Sequence, residues 1–175
     1  MKHKVIAVIV MAFAILAGGA LSPPGQANAA GFGPDSNGAY FFHSPSGRYS
    51  CGIFPAGNRW LSGYQAGCQG RTSTQSPAET QCLRKWGPGG MAMVLKRDGA
   101  RPASGRFECQ SQGLFVGGTT ANGSGTGRVV KPVLPYGRSL TAGGVTCTMR
   151  TSGITCRNNR TGHGFFISLQ SHRGF

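Results

Sequence analysis

Acidic residues are scarce in this sequence. Four Asp and Glu stand against 18 Lys and Arg in 175 residues, which gives a formal net charge of +14. A glycosidase site needs two carboxylates brought together, and only Asp35, Glu79, Asp98 and Glu108 are available. A Ser-His-Asp triad would have to recruit one of the two aspartates, and no Gly-x-Ser-x-Gly nucleophile turn occurs. The scarcity of acids therefore argues against both classes of hydrolase.

A long hydrophobic run occurs at the N-terminus. The apolar residues 5–16 follow Lys2 and Lys4 and precede Ala27-Asn-Ala29, which has small residues where a signal peptidase reads the chain. This pattern predicts a secretory signal peptide over residues 1–29. The run is marginal for a membrane span and has no basic stop-transfer cluster, so we expect no integral membrane segment after cleavage.

The predicted exported chain, residues 30–175, has the length of a single domain. Loss of Lys2 and Lys4 with the signal lowers its formal charge from +14 to +12, and most of the cations are arginines. Arginine favours planar, bidentate contact with phosphate or carboxylate. We therefore expect an anionic polymer or an acidic protein surface as the partner, in the cell envelope or outside the cell.

The expected contacts of that partner come from arginines on strands and turns, together with one glycine-flanked histidine. They are Arg48, Arg106, Arg138 and His163. The sequence gives no indication of the oligomeric state.

All six cysteines lie in the predicted exported part, and no Cys-x-x-Cys pair occurs. An even number of cysteines in an oxidising compartment favours three disulfides over a metal site. We expect neither a metal nor a cofactor. Six cysteines allow about fifteen pairings, so the connectivity has to be argued from local patterns.

A short pattern recurs three times, as Ser46-Gly-Arg-Tyr-Ser-Cys51, Ser104-Gly-Arg-Phe-Glu-Cys109 and Ser152-Gly-Ile-Thr-Cys156. Ser-Gly is typical of a tight turn, and alternation with a period of two then sends the apolar residue and the cysteine to one face. The repeat predicts hairpins with one buried side.

The third copy predicts a disulfide directly. If residues 147–156 fold about the loop 150–153, Met149 faces Ile154 and Cys147 faces Cys156. Cysteines opposed on neighbouring strands come within disulfide reach, so we pair Cys147 with Cys156. The sequential choice for the other four is Cys51–Cys68 and Cys82–Cys109.

One helix interrupts the predicted strands. Ser76-Pro-Ala-Glu79 is a capping box with proline at the first helical position, and Gly87-Pro88 ends the segment. We expect a helix over Pro77–Trp86 with Cys82 and Trp86 on its buried face. Residues 117–127 are rich in Gly, Thr and Ser without apolar periodicity, which predicts a flexible loop.

The predicted fold is therefore all-β, with mainly antiparallel hairpins in a small sandwich or barrel, one short helix and three disulfides. Gly162-His163-Gly164 has two interpretations: an approachable imidazole in a binding or acid-base site, or a turn whose glycines satisfy the backbone. The turn is favoured. The alternative to a non-catalytic binder is a ribonuclease-like phosphodiesterase that uses His163 and His43 for proton transfer.

An ordered set of motifs runs through the predicted exported chain. It resembles an uncharacterised family of small exported proteins and lipoproteins of actinobacteria, mycobacteria included. The motifs are Phe42-His-Ser-Pro-Ser-Gly47, Cys82 to Gly87, Leu134-Pro-Tyr-Gly137, Gly144-Val-Thr-Cys147, Ser152-Gly-Ile-Thr-Cys156 and Thr161-Gly-His-Gly-Phe165.

The resemblance implies export and a disulfide-stabilised domain, and it implies no activity, substrate or catalytic residue. The family pattern usually continues into Ser-Arg and ends near Tyr-Arg and Phe. Leu169 and His172 depart from that pattern here. Any site that depended on the family's arginine and tyrosine would therefore differ in this chain.

Overall fold

Two five-stranded antiparallel sheets pack face to face in the computed structural model of the chain. Of the two expected all-β architectures, the described strands form the sandwich and no closed barrel. The predicted signal peptide (1–29) and the predicted flexible loop (117–127) lie outside the described residues. The structure describes residues 32–56, 61, 63–70, 72–73, 76–87, 90–97, 104–111, 113–115 and 132–175.

The strands of each sheet follow one another in chain order, and each strand pairs antiparallel with the next. The first sheet contains β1 (Tyr40–His43), β2 (Ser50–Ile53), β3 (Tyr64–Gln69), β4 (Met91–Lys96) and β5 (Arg106–Cys109). The second contains β6 (Ser139–Ala142), β7 (Val145–Arg150), β8 (Gly153–Asn158), β9 (Gly164–Ile167) and β10 (His172–Gly174). The β7–β8 register places Met149 opposite Ile154 and Cys147 opposite Cys156, as predicted.

The main core lies between the two sheets. Alternation along β7 and β8 buries every second residue, so Val145, Met149 and Ile154 face inward. Tyr49 and Ile53 reach the same cluster from the β2 region. One apolar cluster thus joins the faces of both sheets.

The first sheet is covered on its outer face as well. β4 is buried along nearly its whole length, and Val94 belongs to a second cluster that includes Phe54 and Phe115. Gly52 and Gly67 pair across β2 and β3 on this side. Their missing side chains leave room for the rings, since a Cβ on Gly67 would lie 2.2 Å from Cζ of Phe115.

Helix α1 (Pro77–Trp86) has the predicted bounds and the predicted capping box. The Ser76 N–H donates to Glu79 Oε2 at 2.7 Å, and the Glu79 N–H donates to Ser76 Oγ at 3.3 Å. The other carboxylate oxygen of Glu79 contacts Nε2 of His172, so the buried acid ties the helix to β10. Within the described part of the chain, no helix has the length and apolar character needed to cross a membrane.

The prediction that Trp86 is a core residue is wrong. Cys82 is buried and bonded to Cys109 on β5, whereas Trp86 is 43% exposed. Cys82 anchors the helix to β5, the edge strand of the first sheet, and the last turn leaves the Trp86 ring largely exposed. The Lys85 ammonium lies 4.9 Å from the Trp86 ring centroid and partly covers it instead.

The three disulfides join the pairs expected from the sequence. Cys51–Cys68 and Cys147–Cys156 each connect residues in direct register on neighbouring strands, with Cα atoms 4.1 and 4.0 Å apart. Both are fully buried in the cluster between the sheets. The third, Cys82–Cys109, joins the helix to β5.

Substituting Gly67→Ala should destabilise the oxidised protein by about 1–3 kcal/mol, because the new methyl group overlaps the Phe115 ring. Gly63→Ala is the matched control, since a Cβ there meets nothing within 4 Å. Chemical denaturation of both variants measures the difference in the free energy of unfolding. Equal stabilities would contradict the packing of Phe115 on the outer face of the first sheet.

Candidate functional site

A cleft of about 190 Å³ opens at one end of the sandwich, where turns from both sheets meet. The first sheet contributes the β1–β2 turn. The second contributes the β7–β8 turn, the β9–β10 turn and the turn over residues 135–138 that precedes β6. The polar lining includes Ser46, Arg48, Tyr136, Arg150, Ser152 and Gln170.

The β1–β2 turn follows from the residues that the sequence pattern singled out. The Gly47 N–H donates to the Ser44 carbonyl at 2.9 Å. The buried Ser44 hydroxyl accepts from the Tyr49 N–H at 3.1 Å and lies 3.1 Å from the Ser46 hydroxyl. These bonds close the turn and hold Arg48 at the rim of the cleft.

The turn over residues 135–138 docks onto β7 through its backbone. Arg138 donates to the Pro135 carbonyl, and Gly137 donates to the Met149 carbonyl at 2.8 Å. Met149 in turn donates to the Arg138 carbonyl at 2.9 Å. This pairing leaves the Tyr136 ring 45% exposed beside the cleft.

The β9–β10 turn is closed by one buried hydroxyl. Ser168 Oγ accepts from the N–H groups of Gln170 and Ser171 and donates to the Ser171 carbonyl at 3.1 Å. The Leu169 carbonyl accepts from the backbone N–H of Ser73 at 2.5 Å and from its hydroxyl at 2.6 Å. The wall of the cleft is thereby tied to the segment that precedes the helix.

The charge of the cleft has one sign. Arg48 and Arg150 line it, and none of its described lining residues is acidic. Burial raises the pKa of Tyr49 above its usual 10.0, and the nearby Arg48 charge opposes that shift only in part. Tyr49 therefore stays a neutral phenol at physiological pH, and the positive charge of the two arginines is not offset.

A wider depression of about 610 Å³ adjoins the cleft. The two share Tyr136, Arg150, Thr151 and Ser152 in their linings. The depression extends the cleft onto the second sheet, at Ser139 of β6 and Thr148 of β7.

The structure brings together only part of the predicted contact set. Arg48 lines the cleft, and Arg138 lies exposed in the turn that carries Tyr136. Arg106 lies on β5, where its Nε donates to Glu108 Oε1 at 3.2 Å. The three predicted arginines therefore do not form one surface.

Glu108 is the centre of a separate charged cluster. Lys96 Nζ lies 2.6 Å from Glu108 Oε1, and the Tyr64 hydroxyl donates to Oε2 at 3.0 Å. Burial raises the pKa of this carboxyl, but hydrogen bonds from Lys96, Tyr64 and Arg106 outweigh the burial and hold the pKa below its usual 4.5. Glu108 thus stays ionised and offsets cations on the first sheet.

His163 belongs to the turn between β8 and β9. Its carbonyl accepts from the Asn158 N–H at 2.8 Å, and its N–H donates to Thr161 Oγ1 at 3.3 Å. Gly162 has φ +78°, a conformation that glycine adopts without strain, and its carbonyl accepts from Arg157 Nε at 3.1 Å. Gly162 therefore has the turn role that the second interpretation gives it, whereas Gly164 is the first residue of β9.

His43 and His163 lie at different ends of the molecule. His43 pairs with the segment before β6, because its N–H donates to the Pro132 carbonyl and its carbonyl accepts from Leu134, and it adjoins Ser44 at the cleft. The turn with His163 follows the far end of β8, about 17 Å along the strand from the β7–β8 turn. This arrangement does not bring the two imidazoles to opposite sides of one phosphodiester group.

The contact set expected from the sequence did not include Arg150 or Tyr136. Both stand in turns that the motifs mark, Arg150 in the predicted hairpin loop and Tyr136 in Leu134-Pro-Tyr-Gly137. The missing information was that separate hairpins converge, which depends on how the sheets stack. A search for arginine in every motif turn would have found Arg150.

Within the described ranges, no three His, Cys, Asp or Glu side chains lie together in a way that could hold a metal ion.

A family model described as "Family of unknown function (DUF6636)" matches residues 115–174. The match spans the whole second sheet and three of the four cleft turns, but it leaves out Arg48 and the first sheet. It is narrower than the motif resemblance, which extends over nearly the whole predicted exported chain. No curated protein and no solved structure matches the chain.

Substituting Glu108→Gln should lower the free energy of unfolding at pH 7 by about 1–2 kcal/mol, because charge-assisted hydrogen bonds are lost. The folded pKa of Glu108 is depressed, so its contribution is complete above the unfolded pKa, near 4.5, and is lost as the pH falls through the folded pKa. Denaturation from pH 7 downward should therefore show the two proteins converging in acid. A stability difference that is independent of pH would refute the ionised cluster.

Proposed function

We propose that the protein is a non-catalytic binder of an anionic partner and that the cleft between the four turns is its binding site. The observation that carries this proposal is the pair Arg48 and Arg150, which come from different sheets and line one cleft without an acidic neighbour in its described lining. Arginine forks favour bidentate contact with carboxylate or phosphate. Two such groups on one ligand, or one group between both arginines, would suit this arrangement.

The rest of the lining supports recognition of a polar ligand. Hydroxyls of Ser46, Thr151 and Ser152 surround the arginines, and a hydroxyl can both donate and accept hydrogen bonds. Tyr136 adds an exposed ring at the rim, a side chain whose apolar face and polar tip suit a partly wet interface. Arg138 lies in the same turn and would add a further cation.

The scaffold suits a rigid binding surface. The cleft is built on turns that are fixed by backbone hydrogen bonds and by two buried disulfides, which favours a preorganised surface. Three disulfides in a chain of this size fit an oxidising, extracellular compartment. We place the partner in the cell envelope or outside the cell, in keeping with the predicted signal peptide.

The double substitution Arg48→Gln/Arg150→Gln tests the site. The oxidised protein is titrated with polygalacturonate, polyphosphate and single-stranded DNA in parallel across a salt series. Loss of charge-assisted contacts should weaken binding of the preferred polymer by at least about tenfold.

The matched control is Arg84→Gln/Arg160→Gln, which removes the same charge from the helix and the β8–β9 turn, both outside the cleft lining. If binding were only generic attraction between opposite charges, loss of two cations would weaken it to the same extent in both variants. Equal losses in the two doubles would mean that the charge acts generically, and the cleft would then have no special role.

A further inference from the structure

The outer face of the second sheet carries a ladder of paired hydroxyls on β6 and β7. Ser139 is in register with Thr148 and Thr141 with Thr146, and each pair of oxygens lies 2.8 Å apart. These residues alternate with buried ones, so the hydroxyls point away from the core. The first sheet differs, because the Phe54 and Phe115 cluster covers its outer face.

The hydroxyl ladder is continuous with the cleft. The depression that adjoins the cleft is lined by Ser139 and Thr148, the first pair of the ladder, and by Arg150. A ligand held between Arg48 and Arg150 can therefore extend along β7 without leaving the surface. From Arg150 to Thr146 the strand covers about 13 Å.

Positive charge stands at both ends of this path. Arg150 is at the cleft end, and Arg157 is in register with Thr146 at the other end, where its Nε is oriented by the Gly162 carbonyl. The described segment 132–175, which contains the whole sheet, has no Asp or Glu. An anionic chain along the ladder therefore meets a cation at each end and no acidic residue from this segment.

The hydroxyl pairs indicate which kind of anionic chain fits. Within a pair one hydroxyl donates to the other, which leaves one O–H and several lone pairs for a ligand. An array that both donates and accepts complements the hydroxyls of sugars, and the arginines complement carboxylates. A nucleic acid would require a series of stacking rings, but on this described face the Phe166 ring carries the Arg173 guanidinium at 5.4 Å.

We propose that the partner is a linear acidic polysaccharide that binds in the cleft and runs along the hydroxyl ladder of the second sheet. This inference rests on the proposed function and adds to it the ligand class and the path of the chain. Tyr136 offers the exposed ring at the rim against which a sugar can pack.

The test compares a galacturonate disaccharide with a long polygalacturonate on the oxidised full chain. In the variant Thr141→Val/Thr146→Val, the shape and strand propensity of the side chains are kept and two hydroxyls far from the cleft are lost. Long-chain affinity should fall about tenfold, since the contacts of two hydroxyls disappear, while disaccharide affinity stays unchanged. Thr80→Val on helix α1 is the control and should change neither affinity.

The other outcomes separate the inference from the proposed function. If the valine double binds long and short chains as the parent protein does, the ladder is not part of the site, although the cleft still stands. Polygalacturonate could fail to bind while single-stranded DNA or polyphosphate binds with an affinity that depends on Arg48 and Arg150. That result would refute the polysaccharide as the ligand and support the cleft as the binding site. If the affinity for none of the polymers depends on Arg48 and Arg150, both proposals are refuted.

Discussion

The two cross-strand disulfides that meet in one buried cluster are the constraint on which the rest of the structure depends. Cys51–Cys68 fixes β2 against β3, and Cys147–Cys156 fixes β7 against β8. Because both cystines pack in the cluster between the sheets, the hairpins that they fix are also held against each other. The turns with Arg48 and Arg150 are thereby brought to one cleft.

The few described acids make structural contacts away from the cleft. The Asp35 carboxylate accepts from the N–H groups of Asn37 and Ala39, Glu79 closes the capping box and contacts His172, and Glu108 offsets cations of the first sheet. Each of these described acids has a local structural partner, and none lies in the second sheet or the cleft. The two arginines of the cleft are therefore not offset by any of these acids.

Local patterns predicted local structure well. The opposed cysteines of the β7–β8 hairpin, the period of two that buries Met149 and Ile154, and the capping box that begins helix α1 each depend on residues close in sequence. Such interactions produce a residue spacing that can be recognised in the sequence. The prediction for Trp86 was wrong because helical spacing shows that Trp86 shares a face with Cys82, but not how much of that face the rest of the protein covers.

The site could not be predicted in the same way. Arg48 and Arg150 are far apart in sequence, and their meeting depends on how two sheets stack, for which the sequence has no periodic signal. The hydroxyl ladder was equally hidden, since alternating threonines indicate an exposed strand face but not whether another segment covers it. Arg106 had the same motif as Arg48, and only the structure shows that Glu108 engages it.

The most direct measurement is an NMR titration of the oxidised protein with polygalacturonate, followed through the side-chain Nε–Hε resonances of its arginines. We expect the resonances of Arg48 and Arg150 to shift first and saturate together, with Arg157 following only for long chains. Arg106, held by Glu108 on the other sheet, should stay unmoved. Equal, unsaturated shifts of all arginines would contradict a defined site and leave only diffuse attraction between opposite charges.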